Sequence, residues 1–275
     1  MTTPSPESSP LLKAYEDAEF LRSDICRGVR LQLEFLKPDT VMDRLGVRST
    51  IVLFGSARIP CPETASRILA EAEVACRGNP ADPALIEALR VARTLQEQSH
   101  YYNTAREFAA LASRHCQRSA CRELVVITGG GGGIMEAGNR GAHDVGAVSI
   151  GLNISLPFEQ VPNPYITPEL SFQLHYFSIR KMHFLKRARA LCAFPGGFGT
   201  MDELFETLTL IQTRKIPRIP VVLFGREFWQ EIINWEALVR RGLISPQDLK
   251  LFRMSDCALD GWNHIRQFYG ETTLE

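Results

Sequence analysis

The sequence lacks most of the features that would place it quickly. It has no charge of one sign: 31 basic residues balance 31 acidic ones. That argues against a general affinity for nucleic acid or for an anionic membrane surface. It has no apolar run near the ~20 residues that span a bilayer. Residues 1–10 are polar and rich in Pro and Ser, with no apolar core of a secretory leader. The seven cysteines, at 26, 61, 76, 116, 121, 192 and 257, are odd in number and include no C-x-x-C pair. Reduced thiols and a cytoplasmic location are the expectation. No set of His, Asp, Glu or Cys has convincing metal spacing, and no Gly-x-Ser-x-Gly elbow or internal repeat is present.

What the chain does have is an alternation of short apolar runs with helical stretches over 275 residues, 45% of them hydrophobic. Apolar runs at 51–54, 124–128, 147–152, 190–194 and 219–224 read as buried strands, and the segments between them read as helices. This predicts an α/β fold, a Rossmann-like doubly wound parallel sheet with helices on both faces. Residues 1–10 are expected to be a disordered tip and 11–48 an N-terminal helical arm. In the arm Leu21, Ile25, Val29, Leu33 and Leu36 recur every three or four residues, and Lys37-Pro38 interrupts the pattern. Residues 49–275 are expected to form the single main domain, with a helical insertion at about 62–100. Residues 156–170 read as loop, and 245–270 as a mixture of short elements.

In such a sheet ligands bind at the strand carboxyl ends. Three segments fall there. Ser56 follows the first strand. Five glycines, 129–133, follow the second, with Gly130, Gly131 and Gly132 at the centre. The third, Pro195 to Glu203, follows the fourth predicted strand. Glycines let backbone amides approach a ligand, and a following helix N-terminus favours anions. The 129–133 loop is neither a nicotinamide fingerprint nor a Walker A sequence, because the acidic residue of the one and the Gly-Lys-Ser/Thr of the other are missing. In the third segment Gly196, Gly197 and Gly199 permit unusual dihedrals. Thr200 is placed to cap the helix, and Thr200 with Glu203 fits a capping box. Glu203 can alternatively serve as a carboxylate one turn from a bound phosphate.

Arg180 and Lys181 open a basic helix that includes His183, Lys186, Arg187 and Arg189. The helix is either a solvated basic face or a return of Arg180 to the same sheet edge, beside substrate or Glu203. His175 and His183 fit ordinary structural positions. Neither Lys181 nor Lys186 sits in an apolar run that would lower its pKa for Schiff-base chemistry.

These motifs together carry a resemblance. GSAR at 55–58, GGGGGIMEAGNRGA at 129–142, GLNISLPFEQ at 151–160, RK at 180–181 and PGGFGTMDE at 195–203 resemble the LOG (Lonely Guy) family, often labelled lysine-decarboxylase-like. The resemblance covers roughly 50–255 and is nearer the longer bacterial branch. It implies a cytokinin riboside 5′-monophosphate phosphoribohydrolase or AMP nucleosidase: a nucleoside 5′-monophosphate and water give free base and ribose 5-phosphate. It implies Arg180 and Glu203 as the catalytic pair. Lys181, Gly196, Gly197, Gly199, Thr200, Glu159 and Thr209 would contact substrate. It implies no cofactor and no metal, a homodimer or higher homo-oligomer, and no nucleic-acid or membrane partner. Two other readings stand beside it. One is a non-catalytic binder of a phosphorylated ligand, similar to molybdenum-cofactor carriers. The weaker one is a pyridoxal-phosphate lysine decarboxylase.

Overall fold

A computed structural model describes residues 10–117, 122–156 and 161–270. Among these the strands form one seven-stranded sheet in the order β4-β3-β2-β1-β5-β6-β7, with every neighbouring pair parallel. The strands are β1 (Thr50–Phe54), β2 (Val125–Thr128), β3 (Ser149–Ile154), β4 (Ser171–Leu174), β5 (Ala188–Ala193), β6 (Val221–Phe224) and β7 (Phe252–Ser255). The chain runs outward from β1 to β4, returns to place β5 against the other side of β1, and runs outward again to β7. The topological switch therefore lies between β1 and β5.

Helices cover both faces, which explains why the inner strands are apolar throughout. In β1, Val52 and Phe54 enter one core while Ile51 and Leu53 enter the other. The first core receives Met42 from α2 (Arg27–Arg44), Phe184 from α7 (Phe177–Lys186), Leu204 and Ile211 from α8 (Phe198–Gln212), Trp229 from α9 (Arg226–Ile232) and Trp235 from α10 (Trp235–Arg240). The second receives Tyr102 and Phe108 from α5 (His100–Cys116), Ile134 and Ala137 from α6 (Ile134–His143) and Trp262 from α11 (Ala258–Tyr269). The doubly wound α/β fold read from the sequence is the one observed. Between β1 and α5 the chain forms α3 (Pro62–Gly78) and α4 (Pro83–Gln98), in which only Ala65 and Ala92 are buried.

Several local expectations need correction. Pro38 does not interrupt the arm, which begins with the short α1 (Ala18–Arg22); it lies inside α2 and is buried there. A proline removes one N–H, so the helix carbonyl four residues back, that of Glu34, loses its partner. His183 Nε2 takes that place at 3.0 Å, so the freed carbonyl is satisfied. The apolar stripe of the arm points outward: Ile25 is 85% exposed, and Val29, Leu33 and Leu36 are each about half exposed. Two strands were missed. Residues 171–174 form β4 instead of following a long loop into a helix, and the mixture expected at 245–270 contains β7 and the 12-residue α11.

Candidate functional site

The backbone joins three turns into one surface at the switch point. Ser56 N–H donates to Pro195 O at 2.9 Å, and Ser56 O accepts from Ile134 N at 3.0 Å. Ser56 thus ties the turn after β5 to the helix that follows the glycine loop. Its hydroxyl accepts from Arg58 N at 3.1 Å.

The loop after β2 is held from below by buried amides. Thr128 Oγ1 accepts from Gly130 N (3.0 Å) and donates to Asn139 Oδ1 (2.7 Å). Asn163 Nδ2 donates to Gly130 O, Gly131 O and Asn139 Oδ1. Gly130 has φ +75°, and a Cβ there would lie 2.3 Å from Asn153 Oδ1. Gly130 and Gly131 are buried, Gly132 half-buried. The sequence did not point to Asn139 or Asn163 as braces of this loop. Asn163 sits between Pro162 and Pro164, which is a turn signal and gives no hint of a contact 24 residues away.

The turn after β5 is built differently. Helix α8 starts at Phe198 with Gly197 as its N-cap, and no side chain caps it. Thr200 is therefore inside the helix, and the capping-box reading of Thr200 and Glu203 is wrong. The Thr200 hydroxyl instead lies against Gly196, where an added Cβ would come within 2.2 Å of Oγ1. Cβ atoms at Gly197 and Gly199 would meet nothing within 4 Å, so these positions border open space.

Freed of any capping role, Glu203 still is only 4% exposed. Burial pushes its carboxyl up to about 7; Lys181 and Arg180 pull it down, while Glu206 and Asp202 push it further up. Lys181 and Arg180 come from α7, which begins three residues after β4 ends. The missed strand is what brings the Arg-Lys pair to this edge. Lys181 Nζ lies 2.8 Å from Asp202, 2.8 Å from Glu206 and 4.0 Å from Glu203 Oε2. Burial works against its charge, but the hydrogen bonds with Asp202 and Glu206 prevail and hold the ammonium above its ordinary pKa. Asp202 and Glu206 were not singled out from the sequence, although the D-E-x-x-E pattern at 202–206 places both near Glu203 on α8.

Arg180 reaches toward the glycine turn after β2. A Cβ on Gly129 would lie 4.0 Å from its Nη1, and its guanidinium stacks over Phe177 at 4.8 Å and Phe184 at 5.8 Å. It forms no ion pair with Glu203 among the described residues, and its buried Nε has no hydrogen-bond partner there. Burial pushes its pKa down, and the charge of Glu203 opposes that. A buried donor without a partner among the described residues can take an oxygen acceptor from a ligand. Thr209 lies farther along α8, in an open groove with Lys181, Met201, Phe205 and Leu210, and its hydroxyl donates to Phe205 O. Glu159 lies outside the described residues, as does the expected disordered tip apart from Pro10. Among the described residues no group of three or more His, Cys, Asp or Glu is arranged to hold a metal, and no helix is long and apolar enough to cross a membrane.

Known proteins resemble this chain in the same region. The family model described as "Possible lysine decarboxylase" matches residues 135–265. Two proteins of Oryza sativa subsp. japonica, named probable cytokinin riboside 5′-monophosphate phosphoribohydrolases LOG4 and LOGL5, are 30% and 28% identical over 142 and 144 residues. Each match covers 50% of this chain and spans only 60% and 57% of the relatives' own length. A third, LOGL3, is 24% identical over 157 residues, 54% of this chain and 70% of its own. Among solved structures, a structural-genomics X-ray structure of TM1055 aligns at 16% identity and TM-score 0.47, covering 80% of this chain and 99% of that one. The molybdenum cofactor binding protein of Rippkaea orientalis aligns at 17% identity and TM-score 0.44, covering 62% and 88%. The family resemblance read from the motifs is thus borne out over the half of the chain that carries Arg180 and Glu203.

Proposed function

From this relationship to the LOG family we propose that the chain hydrolyses the N-glycosidic bond of a nucleoside 5′-monophosphate, either AMP or a cytokinin ribotide, to free base and ribose 5-phosphate. The observation that carries the proposal is Glu203: a carboxyl 4% exposed, pushed up to about 7, beside Arg180 and Lys181. A buried group tuned near neutral pH suits proton transfer better than structural support.

In this reading the glycine turns and the α8 N-terminus hold the 5′-phosphate. The ribose C1′ then faces Glu203. As the C1′–N bond lengthens, its electron pair leaves with the base, and positive charge develops on the sugar. The Glu203 carboxylate stabilises that charge and accepts a proton from the water whose oxygen bonds to C1′. The departing base nitrogen takes a proton from solvent. Arg180, through its unpartnered Nε, binds a substrate oxygen, and phosphate binding supplies the remote energy that positions C1′. Glu159 and Thr209 remain proposed substrate contacts. The homodimer implied by the family also remains part of the proposal; Phe198, 95% exposed beside the site, offers apolar surface for a second copy, and a dimer mass in solution is expected.

The test is base release from a panel of nucleoside monophosphates, with and without an N6-isopentenyl group, read by chromatography. Glu203→Ala and Arg180→Ala are each expected to lose on the order of 10²–10⁴-fold in turnover while staying folded. Wild-type turnover in both variants would overturn the assignment. Binding without any base release would favour a carrier of phosphorylated ligands. Decarboxylation through pyridoxal phosphate is disfavoured by Lys181, whose ammonium is clamped by Asp202 and Glu206 and kept charged, the opposite of what a Schiff-base lysine needs.

A further inference from the structure

We propose that Glu34, on the N-terminal arm and outside the nucleotide site, is a positioning residue for Arg180 and Lys181. The inference rests on the reading above, in which Arg180 works on the nucleotide.

Helix α7 has little of its own to fix it. It has ten residues, of which Ile179, His183 and Phe184 are buried, and its N-cap residue Tyr176 makes no side-chain cap. It follows directly on β4, an edge strand paired on one side only. Besides the Lys181 pairs with α8, its anchors come from α2. The Glu34 carboxylate accepts from His175 N at 2.9 Å through Oε1 and from Tyr176 N at 3.1 Å through Oε2. A carboxylate there also faces the positive end of the α7 dipole. The same residue holds α7 a second time, through its main chain. Pro38 provides no N–H for Glu34 O, and His183 Nε2 donates to it instead at 3.0 Å. Burial pushes the His183 pKa down, which keeps the ring neutral.

One arm residue therefore grips α7 at 175–176 and at 183, and Arg180 and Lys181 lie between the two grips. Neighbouring contacts follow the same pattern. Arg30 Nε donates to Tyr176 Oη at 3.3 Å, and Asp39 pairs with Lys186 and Arg187 just past the other end of the helix. The docked face of α2 is mixed: Met42 and Pro38 are buried and Phe35 stacks on His183, while Arg30, Glu34 and Asp39 hold α7.

The test uses the full chain with Glu34→Ala and Glu34→Gln. The phosphate turn is untouched by either change, whereas the aim of Arg180 at the reacting carbon is not. A misplacement of about 1 Å can cost on the order of 100-fold in rate. For Glu34→Ala, kcat for base release is expected to fall about 10- to 100-fold with a much smaller change in KM and a retained cooperative melt. Glu34→Gln keeps one of the two acceptor oxygens and is expected to recover part of the loss. Amide hydrogen exchange at 175 and 176 is expected to quicken in Glu34→Ala, with no nucleotide present. Wild-type kcat in folded Glu34→Ala, or Glu34→Gln as impaired as Glu34→Ala, would overturn the proposal. If Glu34→Ala does not fold, kcat and exchange in Glu34→Gln decide: faster exchange at one of the two amides with kcat lowered several-fold supports the clamp, and wild-type exchange at both amides with wild-type kcat overturns it. If the wild-type chain releases no base from any nucleotide, the hydrolase reading fails separately. Unchanged exchange at 175 and 176 in folded Glu34→Ala would then overturn the clamp on its own.

Discussion

The two glycine turns that meet beside β1 differ in what surrounds them. After β2, Gly130 and Gly133 have positive φ and no spare room: an added Cβ would lie 2.3 Å from Asn153 Oδ1 at the first and 2.4 Å from Ser56 O at the second. Their support consists of neutral hydroxyl and amide groups, Thr128, Asn139 and Asn163, buried and mutually bonded. After β5, Gly197 and Gly199 face open space, and the groups nearby are charged and incompletely paired: Glu203 buried, Arg180 Nε without a partner among the described residues. The first turn is a packed wall. The second is an open one, and the charged groups are concentrated beside it.

The comparison breaks most visibly through Gly133. Its dihedrals, φ 63° and ψ −130°, are open essentially to glycine alone, and the atoms in the way are backbone atoms of Ser56 and Ala57 that cannot swing aside. Gly133→Ala is expected to destabilise the fold by about 3–5 kcal/mol, read as a lower urea midpoint. An unchanged midpoint would mean that this wall is as slack as the other.

The open wall carries a stability cost of a different kind. The Glu203 carboxyl titrates at about 7 in the fold, above its ordinary value of 4.5. Between those two pH values the folded chain binds more protons than the unfolded one, so stability falls as pH rises through this window. Glutamine does not titrate. Glu203→Gln is expected to match the wild type below about pH 4.5, to gain steadily up to pH 7, and to be more stable by on the order of 3 kcal/mol above that. The same group predicts that wild-type kcat/KM rises with pH through about 7 as the carboxylate forms. Melting curves at pH 4 and pH 8 for both proteins decide it. A constant difference across that range would show that Glu203 is not the buried acid described.

How much of this was legible from the sequence follows from where each residue's environment lies. Strands β1, β2, β3, β5 and β6 announced themselves because they are buried on both faces and so read as apolar runs. The two edge strands did not. β4 (SFQL) alternates exposed and buried, and β7 (FRMS) carries an exposed Arg253; edges face water and need no continuous apolar run. The grouping of Arg180, Lys181 and Glu203 was legible only through the motifs that resemble a known family. Its supports were not: Asn163 brackets a loop 33 residues away, and Glu34 reaches a helix 141 residues on, which no local pattern encodes. The periodic stripe at Ile25, Val29, Leu33 and Leu36 did identify a helix, but periodicity says only that two faces differ. Which face docks was decided by distant partners: the core that takes Met42 and the hydrogen-bond partners on α7.

The smallest expected effect is also the one that separates the walls most cleanly. Gly199 lies in the first turn of α8 with nothing within 4 Å of an added Cβ. Alanine is a better helix former than glycine by up to about 1 kcal/mol. Gly199→Ala is therefore expected to leave stability unchanged or raise it slightly, the reverse of Gly133→Ala. The added methyl group would occupy the space assigned to the phosphate, so KM for the nucleotide is expected to rise several-fold with little change in kcat. A packed wall loses stability when a methyl group is added to it, and a binding wall loses affinity. If Gly199→Ala binds nucleotide as well as the wild type, the phosphate does not sit against this turn, and the loop at 129–133 becomes the place to look for it.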